Sequence, residues 1–249
     1  MSDTVTVLRA RGRRLGKRIR ADGTIEAYDN ARSFDLIEIA VAGLDDIQEL
    51  LRRLERCRNC GIVRGAISDP ARTRGVRRLL YPDGADQPTL REVPRRWLAL
   101  DIDTLPRPEW IAIDDLVSCG RLAIETLPTE YRRARFIVQA TGGHGLKPGV
   151  RMRLWCWLSR AVGGGELKHW LRRSPVDPSV FGPANIIYTA PPVIEPGAFD
   201  PLTTRLEPVP GHEGEVLVPA PEQLRRHRPC RPSVGNRAIG MTSVGSSNS

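Results

Sequence analysis

From Phe34 to Val41 the chain reads Phe-Asp-Leu-Ile-Glu-Ile-Ala-Val, a run rich in branched apolar residues that predicts a strand, closed by Gly43. Leu44, Ile47, Leu50, Leu51 and Leu54 then recur at the spacing of one helix face. Asp45 and Asp46 fall in the first turn, and Arg52, Arg53 and Arg56 in the last, where the helix dipole favours them. A second strand follows at 61–67. Residues 68–95 carry many Pro, Gly and Asp positions and read as a loop-rich excursion with a short strand at 78–81. Residues 97–103 are apolar up to two carboxylates, the pattern of a buried strand. Leu105-Pro-Arg-Pro108 then turns the chain into a helix over 110–127.

A strand at 135–140, a glycine-rich loop at 141–149 and a strand at 151–158 come next. A short helix at 165–173, a loop at 176–181 and a last core strand at 186–189 complete the ordered pattern. The first 30 residues are basic and weakly periodic, an arm or a loosely paired opening strand. Beyond Glu207 the chain is rich in Pro and Gly, and 235–249 is small and polar, the composition of a disordered tail. Strands and helices without strict alternation predict an α+β fold, not a doubly wound sheet. The expected organisation is a basic arm at 1–30, a main domain at 31–220 and a basic, then disordered tail at 221–249.

At 249 residues, 40% hydrophobic and 27% charged, the chain is neither wholly disordered, collagenous nor a disulfide scaffold. It has no run of about 18 apolar residues and no apolar stretch near Met1, so a cytoplasmic protein without a membrane span is expected. The net charge of +9 points to a polyanionic partner. Thirty-five of the 38 basic residues are arginine, a skew that a GC-rich genome also produces, so position matters more than the total. Arg9, Arg11, Arg13, Arg14, Lys17, Arg18 and Arg20 form a run without an acid, and Arg225, Arg226, Arg228 and Arg231 form a second knot. Both are candidate DNA contacts, and the first run is expected to hold a template backbone. The five cysteines are scattered and odd in number, so structural disulfides are not expected. Cys57 and Cys60 have zinc-knuckle spacing but no second pair, and fit better as a helix end and a strand start.

Asp101 and Asp103, two apart on a strand, share a face, and two adjacent carboxylates call for a cation such as a hard divalent metal. The same pattern also occurs in solvated turns. Thr141-Gly-Gly-His-Gly-Leu-Lys-Pro-Gly149 has the composition of a phosphate-cradling loop, or of a hairpin turn that needs glycine. It leads into Arg151 and Arg153, also two apart, whose guanidinium forks suit a triphosphate. A third carboxylate, Asp177, precedes Ile187-Tyr188-Thr189.

The stretches 97–103, 139–158 and 176–192 resemble, in order, spacing and apolar flanks, the three motifs of the archaeo-eukaryotic primase superfamily. The likeness is nearest to the primase-polymerase domains of bacterial mobile elements, phages and plasmids. The resemblance implies a two-lobed α+β core, with an N-terminal αβ unit packed on a unit similar to an RNA-recognition module and the active site in the cleft between. It implies that Asp101, Asp103 and Asp177 are catalytic and hold two divalent ions, Mg²⁺ or Mn²⁺. Arg153, Arg151, Lys147, His144, Gly143 and Tyr188 would bind the nucleotide.

The family's second motif ends in a histidine where this chain has Arg153, with His144 nine residues upstream. Either the arginine takes over the phosphate contact, or His144 folds back to make it, or activity is weakened. The activity implied is a template-dependent DNA primase/polymerase, a nucleotidyltransferase acting on single-stranded DNA with NTPs or dNTPs. It would serve replication of a mobile element or plasmid beside a separate helicase. The alternatives are a non-catalytic nucleic-acid-binding module of replication or defence with the same fold, and a metal-dependent nuclease.

Overall fold

The computed structural model describes residues 2–222. In chain order the strands and helices are Asp3–Ala10 (β1), Arg18–Ile19 (β2), Ile25–Glu26 (β3), Phe34–Val41 (β4), Leu44–Leu54 (α1), Cys60–Val63 (β5), Ala66–Ile67 (β6) and Leu90–Arg91 (β7). Then come Arg95–Leu105 (β8), Leu116–Glu125 (α2), Phe136–Ala140 (β9), Val150–Val162 (β10), Gly164–Trp170 (α3), Val193–Ile194 (β11) and Leu206–Val209 (β12). The architecture is mixed α+β, as the element pattern predicts.

Two sheets carry the molecule. The first has the order β4-β1-β5 and is antiparallel, with β1 in the middle and Asp3 to Ala10 paired residue for residue with Val41 to Phe34. The second has the order β12-β9-β10-β8, also antiparallel between neighbours. Strands β8 and β9, joined through α2, flank β10, which makes β8-α2-β9 a split βαβ unit. Helix α2 packs on β9, β10 and β12, and α1 lies against β9 and β10 with Leu44, Ile47, Leu50, Leu51 and Leu54 buried. These helices cover the second sheet, so β8 and β10 read as continuous apolar runs: Trp97 to Leu100 and Leu154 to Cys156 are all buried. Two small ribbons, β11-β2-β3 and β6-β7, complete the described sheets.

The amino-terminal segment is not an arm. Val5, Val7 and Leu8 are buried at the centre of the first sheet. Asp3 accepts hydrogen bonds from Arg95 Nη1 at 3.0 Å and from the Arg96 amide at 2.5 Å, and Trp97 Nε1 donates to the Thr4 carbonyl at 2.9 Å. These bonds tie β1 to β8 and join the two sheets. The acids missing from the arginine run come from elsewhere in the chain. Arg11 pairs with Asp35, Arg14 with Asp29, Arg18 with Glu26 and Glu195, and Arg20 with Glu26, while Arg9 and Arg13 are exposed.

Other elements depart from the sequence reading. Residues 78–81 are not a strand; the pairing in that excursion is β6 with β7. The strand expected over 61–67 breaks at Arg64-Gly65, and 186–189 is extended with a single bridge, Ile187 to Ile62. Helix α2 begins only after Asp115, whose side chain caps it through the Ser118 amide. Cys60 does open β5, and Cys57, Cys60, Cys119 and Cys156 are free thiols. Among the described residues no helix is long and apolar enough to cross a membrane. The knot at Arg225 to Arg231 and the expected disordered tail lie outside the described residues.

Candidate active site

A cavity of about 200 Å³ opens beside β8, β9 and β10 of the second sheet, closed by the segments around Lys17, Tyr28 and Tyr188, with all three predicted carboxylates, Asp101, Asp103 and Asp177, on its wall. Strand alternation puts Asp101 and Asp103 on one face of β8, but a local irregularity sets them apart. Between the pairs Ile102–Met152 and Leu105–Val150, two residues of β8, Asp103 and Thr104, oppose the single Arg151. This is a bulge, and Thr104 takes a left-handed φ of 64° to form it. Gly149 lies opposite with a φ of 78°, where a Cβ would come within 2.8 Å of the Leu105 carbonyl, so only glycine fits. The bulge turns Asp103 outward: its side chain is 60% exposed against 17% for Asp101.

Arg153 sits directly across from Asp101 in the β8–β10 register. Its Nη2 donates to Asp101 Oδ2 at 2.8 Å and its Nη1 to the Tyr188 carbonyl at 2.7 Å, with the side chain only 5% exposed. It therefore serves first as the counter-ion of Asp101. Arg151 is looser, with Nη1 3.4 Å from Asp103 Oδ1 and Nε donating to the Pro148 carbonyl at 3.2 Å. Asp177 joins β8 through its amide, which donates to the Asp101 carbonyl at 2.9 Å. Its carboxylate caps the short turn that follows, accepting from the Ser179 amide at 2.8 Å and from Ser179 Oγ at 2.7 Å.

His144 does not face this cavity. Its Nδ1 accepts from the Arg151 amide at 3.1 Å, which leaves the proton on Nε2 to be donated to the Ile113 carbonyl at 2.8 Å. Burial pushes its pKa down, with the Ile113 bond opposing that shift. In place of the fold-back of His144 onto a triphosphate, one of the three sequence alternatives, the ring has a structural duty, that of clamping the loop to β10 and to the segment before α2. The loop is less of a phosphate cradle than its glycines suggest, because the His144 amide donates to Thr141 and those of Leu146 and Lys147 to Gly143. Gly143 is buried beside Arg151, and Lys147 is exposed.

The cavity recruits residues that the sequence does not mark as belonging together. Lys17, from the supposed arm, lines it. Desolvation lowers the Lys17 pKa, Lys147 lowers it further, and Asp103 and Asp101 pull the other way. Tyr28 stacks on Tyr188 with ring centroids 3.6 Å apart, and burial together with Tyr28 raises the Tyr188 pKa to about 12. Glu55, at the end of α1, is raised by burial and partly relieved by Arg205 and Arg52. Three buried polar atoms on this wall have no hydrogen-bond partner: Asp101 Oδ1, Arg153 Nε and Thr189 Oγ1. Such orphaned groups are costly and mark places where a fold is arranged for something other than its own stability. No family model, curated protein or solved structure matches the chain.

Proposed function

We propose that this cavity is the active site of a template-dependent nucleotidyltransferase that joins nucleotides on single-stranded DNA. The observation that carries the reading is the convergence of Asp101, Asp103 and Asp177 with Lys17 and Arg153 on one wall, drawn from segments up to 160 residues apart. The motif resemblance to the primase superfamily supports the same assignment, and the split βαβ unit bearing Asp101 and Asp103 is compatible with its second lobe. At about 200 Å³ the cavity is smaller than a pocket that encloses a whole drug-sized ligand. It suits the phosphate end of a nucleotide, with base and template outside.

Asp101 and Asp103 fit a hard divalent cation, since both are oxygen donors on one face and Asp101 Oδ1 is buried without a partner. Among the described residues no three His, Cys, Asp or Glu side chains are arranged to hold a metal together, and Asp177 would have to release Ser179 to join them. When bound, Mg²⁺ or Mn²⁺ would lower the pKa of an attacking 3′-hydroxyl and neutralise charge on a leaving pyrophosphate. Arg153 holds Asp101 in place, Arg151 and Lys147 supply positive charge at the rim, and Tyr28 stacked on Tyr188 offers an aromatic wall. These are positioning and electrostatic roles, which phosphoryl transfer chiefly requires. Unwinding of a duplex would fall to a separate helicase.

The Asp101–Arg153 pair and the capped state of Asp177 favour a second reading, a non-catalytic nucleic-acid-binding module with the same cavity. Incubation with a single-stranded template, Mg²⁺ or Mn²⁺ and labelled nucleotides separates the readings. Extension products support transfer, a mobility shift without chemistry supports the binding module, and shortened template would mean a nuclease.

A further inference from the structure

Lysine occurs three times in this chain, against 35 arginines, and Lys17 is the one that lines the cavity. The arginines around the site are engaged with carboxylates: Arg153 with Asp101, Arg151 with Asp103, Arg205 with Asp200. Lys17 has no salt bridge among the described residues, although Asp103 and Asp101 both act on it electrostatically. Its backbone and its stem are both held in place. The Lys17 carbonyl accepts from the Val193 amide at 2.7 Å, and its stem runs along Gly142, where a Cβ would stand 3.2 Å from Lys17 Cδ and 3.4 Å from Lys17 Cβ. Glycine at 142 therefore leaves room for the lysine.

A half-buried ammonium without a carboxylate partner, with Lys147 and Arg151 acting on it as like charges, is suited to neutralisation by an anion from outside. We infer that Lys17 binds the polyphosphate tail of a nucleotide directly. For the identity of its ligand this rests on the nucleotidyl-transfer reading. The amino-terminal basic run then contributes to the site through one buried-stem side chain, not as a template-binding arm. The choice of lysine is physical. A guanidinium at position 17 would fork onto Asp101 or Asp103, whereas a compact ammonium stays a point charge open to phosphate.

The test uses inorganic tripolyphosphate and isothermal titration on the full chain. Lys17→Ala is expected to weaken binding about tenfold or more, and Gly142→Ala to weaken it less by displacing the lysine stem. Lys168→Ala removes the same charge from an exposed position on α3 and is expected to change affinity by about twofold at most. Labelling of the wild-type chain with trinitrobenzenesulfonate, mapped by mass spectrometry, needs no mutation. Tripolyphosphate should protect Lys17 and leave Lys168 reactive. Equal binding by wild type and folded Lys17→Ala, or equal labelling of Lys17 with and without tripolyphosphate, overturns the role of Lys17 alone. A wild-type chain that binds neither tripolyphosphate nor any nucleoside triphosphate overturns the nucleotide reading together with it.

Discussion

Asp101 and Asp103 share a face of β8 yet carry different burdens, because one is clamped by a nearly buried arginine and the other is turned to solvent by a bulge. Removing Asp101 leaves the Arg153 guanidinium without its counter-ion in a place where water is scarce. Asp101→Ala should therefore lower stability by about 3 kcal/mol, the lower end of what breaking a buried pair costs, since Arg153 keeps the Tyr188 carbonyl. Asp103→Ala should stay within about 0.5 kcal/mol of wild type. Urea unfolding midpoints of the two variants read the difference directly. His144 makes the second residue-scale prediction. Burial depresses its pKa below the ordinary 6.5, with Arg205 and Arg107 adding to the effect and the Ile113 bond opposing it. The unfolded chain then takes up a proton near that ordinary value which the folded chain refuses. Stability from neutral His144 is thus complete above about pH 6.5 and falls as pH drops toward the folded-state value. In His144→Gln the loss of stability between about pH 7.5 and 5.5 should be shallower than in wild type, which urea midpoints at the two pH values measure.

At the scale of elements, β1 holds the first sheet together from its middle and is bonded to β8 through Asp3 and Thr4. Deleting residues 1–20 should abolish cooperative unfolding, seen as loss of the near-ultraviolet circular dichroism of the buried tryptophans. Helix α2 meets the second sheet at Gly120, where a Cβ would overlap Val138 Cγ2 and come within 3.0 Å of Val209 Cγ2. Gly120→Ala should cost about 1–3 kcal/mol by overpacking, despite alanine's better helix propensity. Elements whose burial follows from a local pattern are legible in the sequence: α1 from one apolar face, and β8, β9 and β10 from apolar runs covered on both sides. β1 is not, because Val5, Val7 and Leu8 lie beside an arginine run whose neutralising acids, Asp29, Asp35 and Glu26, come from later in the chain. β12 is hidden by Pro208, which an edge strand tolerates.

For the molecule as a whole, the cavity is a junction. The amino-terminal segment brings Lys17 and Tyr28, β8 and β10 bring the Asp101–Arg153 pair, and the chain after α3 brings Asp177, Tyr188 and Thr189. The spacing of the acids makes this convergence legible as a resemblance. The duties of Arg153, His144 and Lys17 are not legible, because each is set by a partner distant in sequence. The amino-terminal run is likewise less of a free cationic patch than its sequence suggests, since surface ion pairs engage four of its seven cations. The central claim, that this junction transfers nucleotides, is tested most directly by Asp103→Ala, the variant whose fold should be undisturbed. With a single-stranded template, labelled nucleotides and Mg²⁺ or Mn²⁺, the wild-type chain should make template-directed products. Asp103→Ala, at an unchanged urea midpoint, should lose them by about a hundredfold or more. Undiminished synthesis by that variant, or no product from the wild-type chain with either metal, would contradict it.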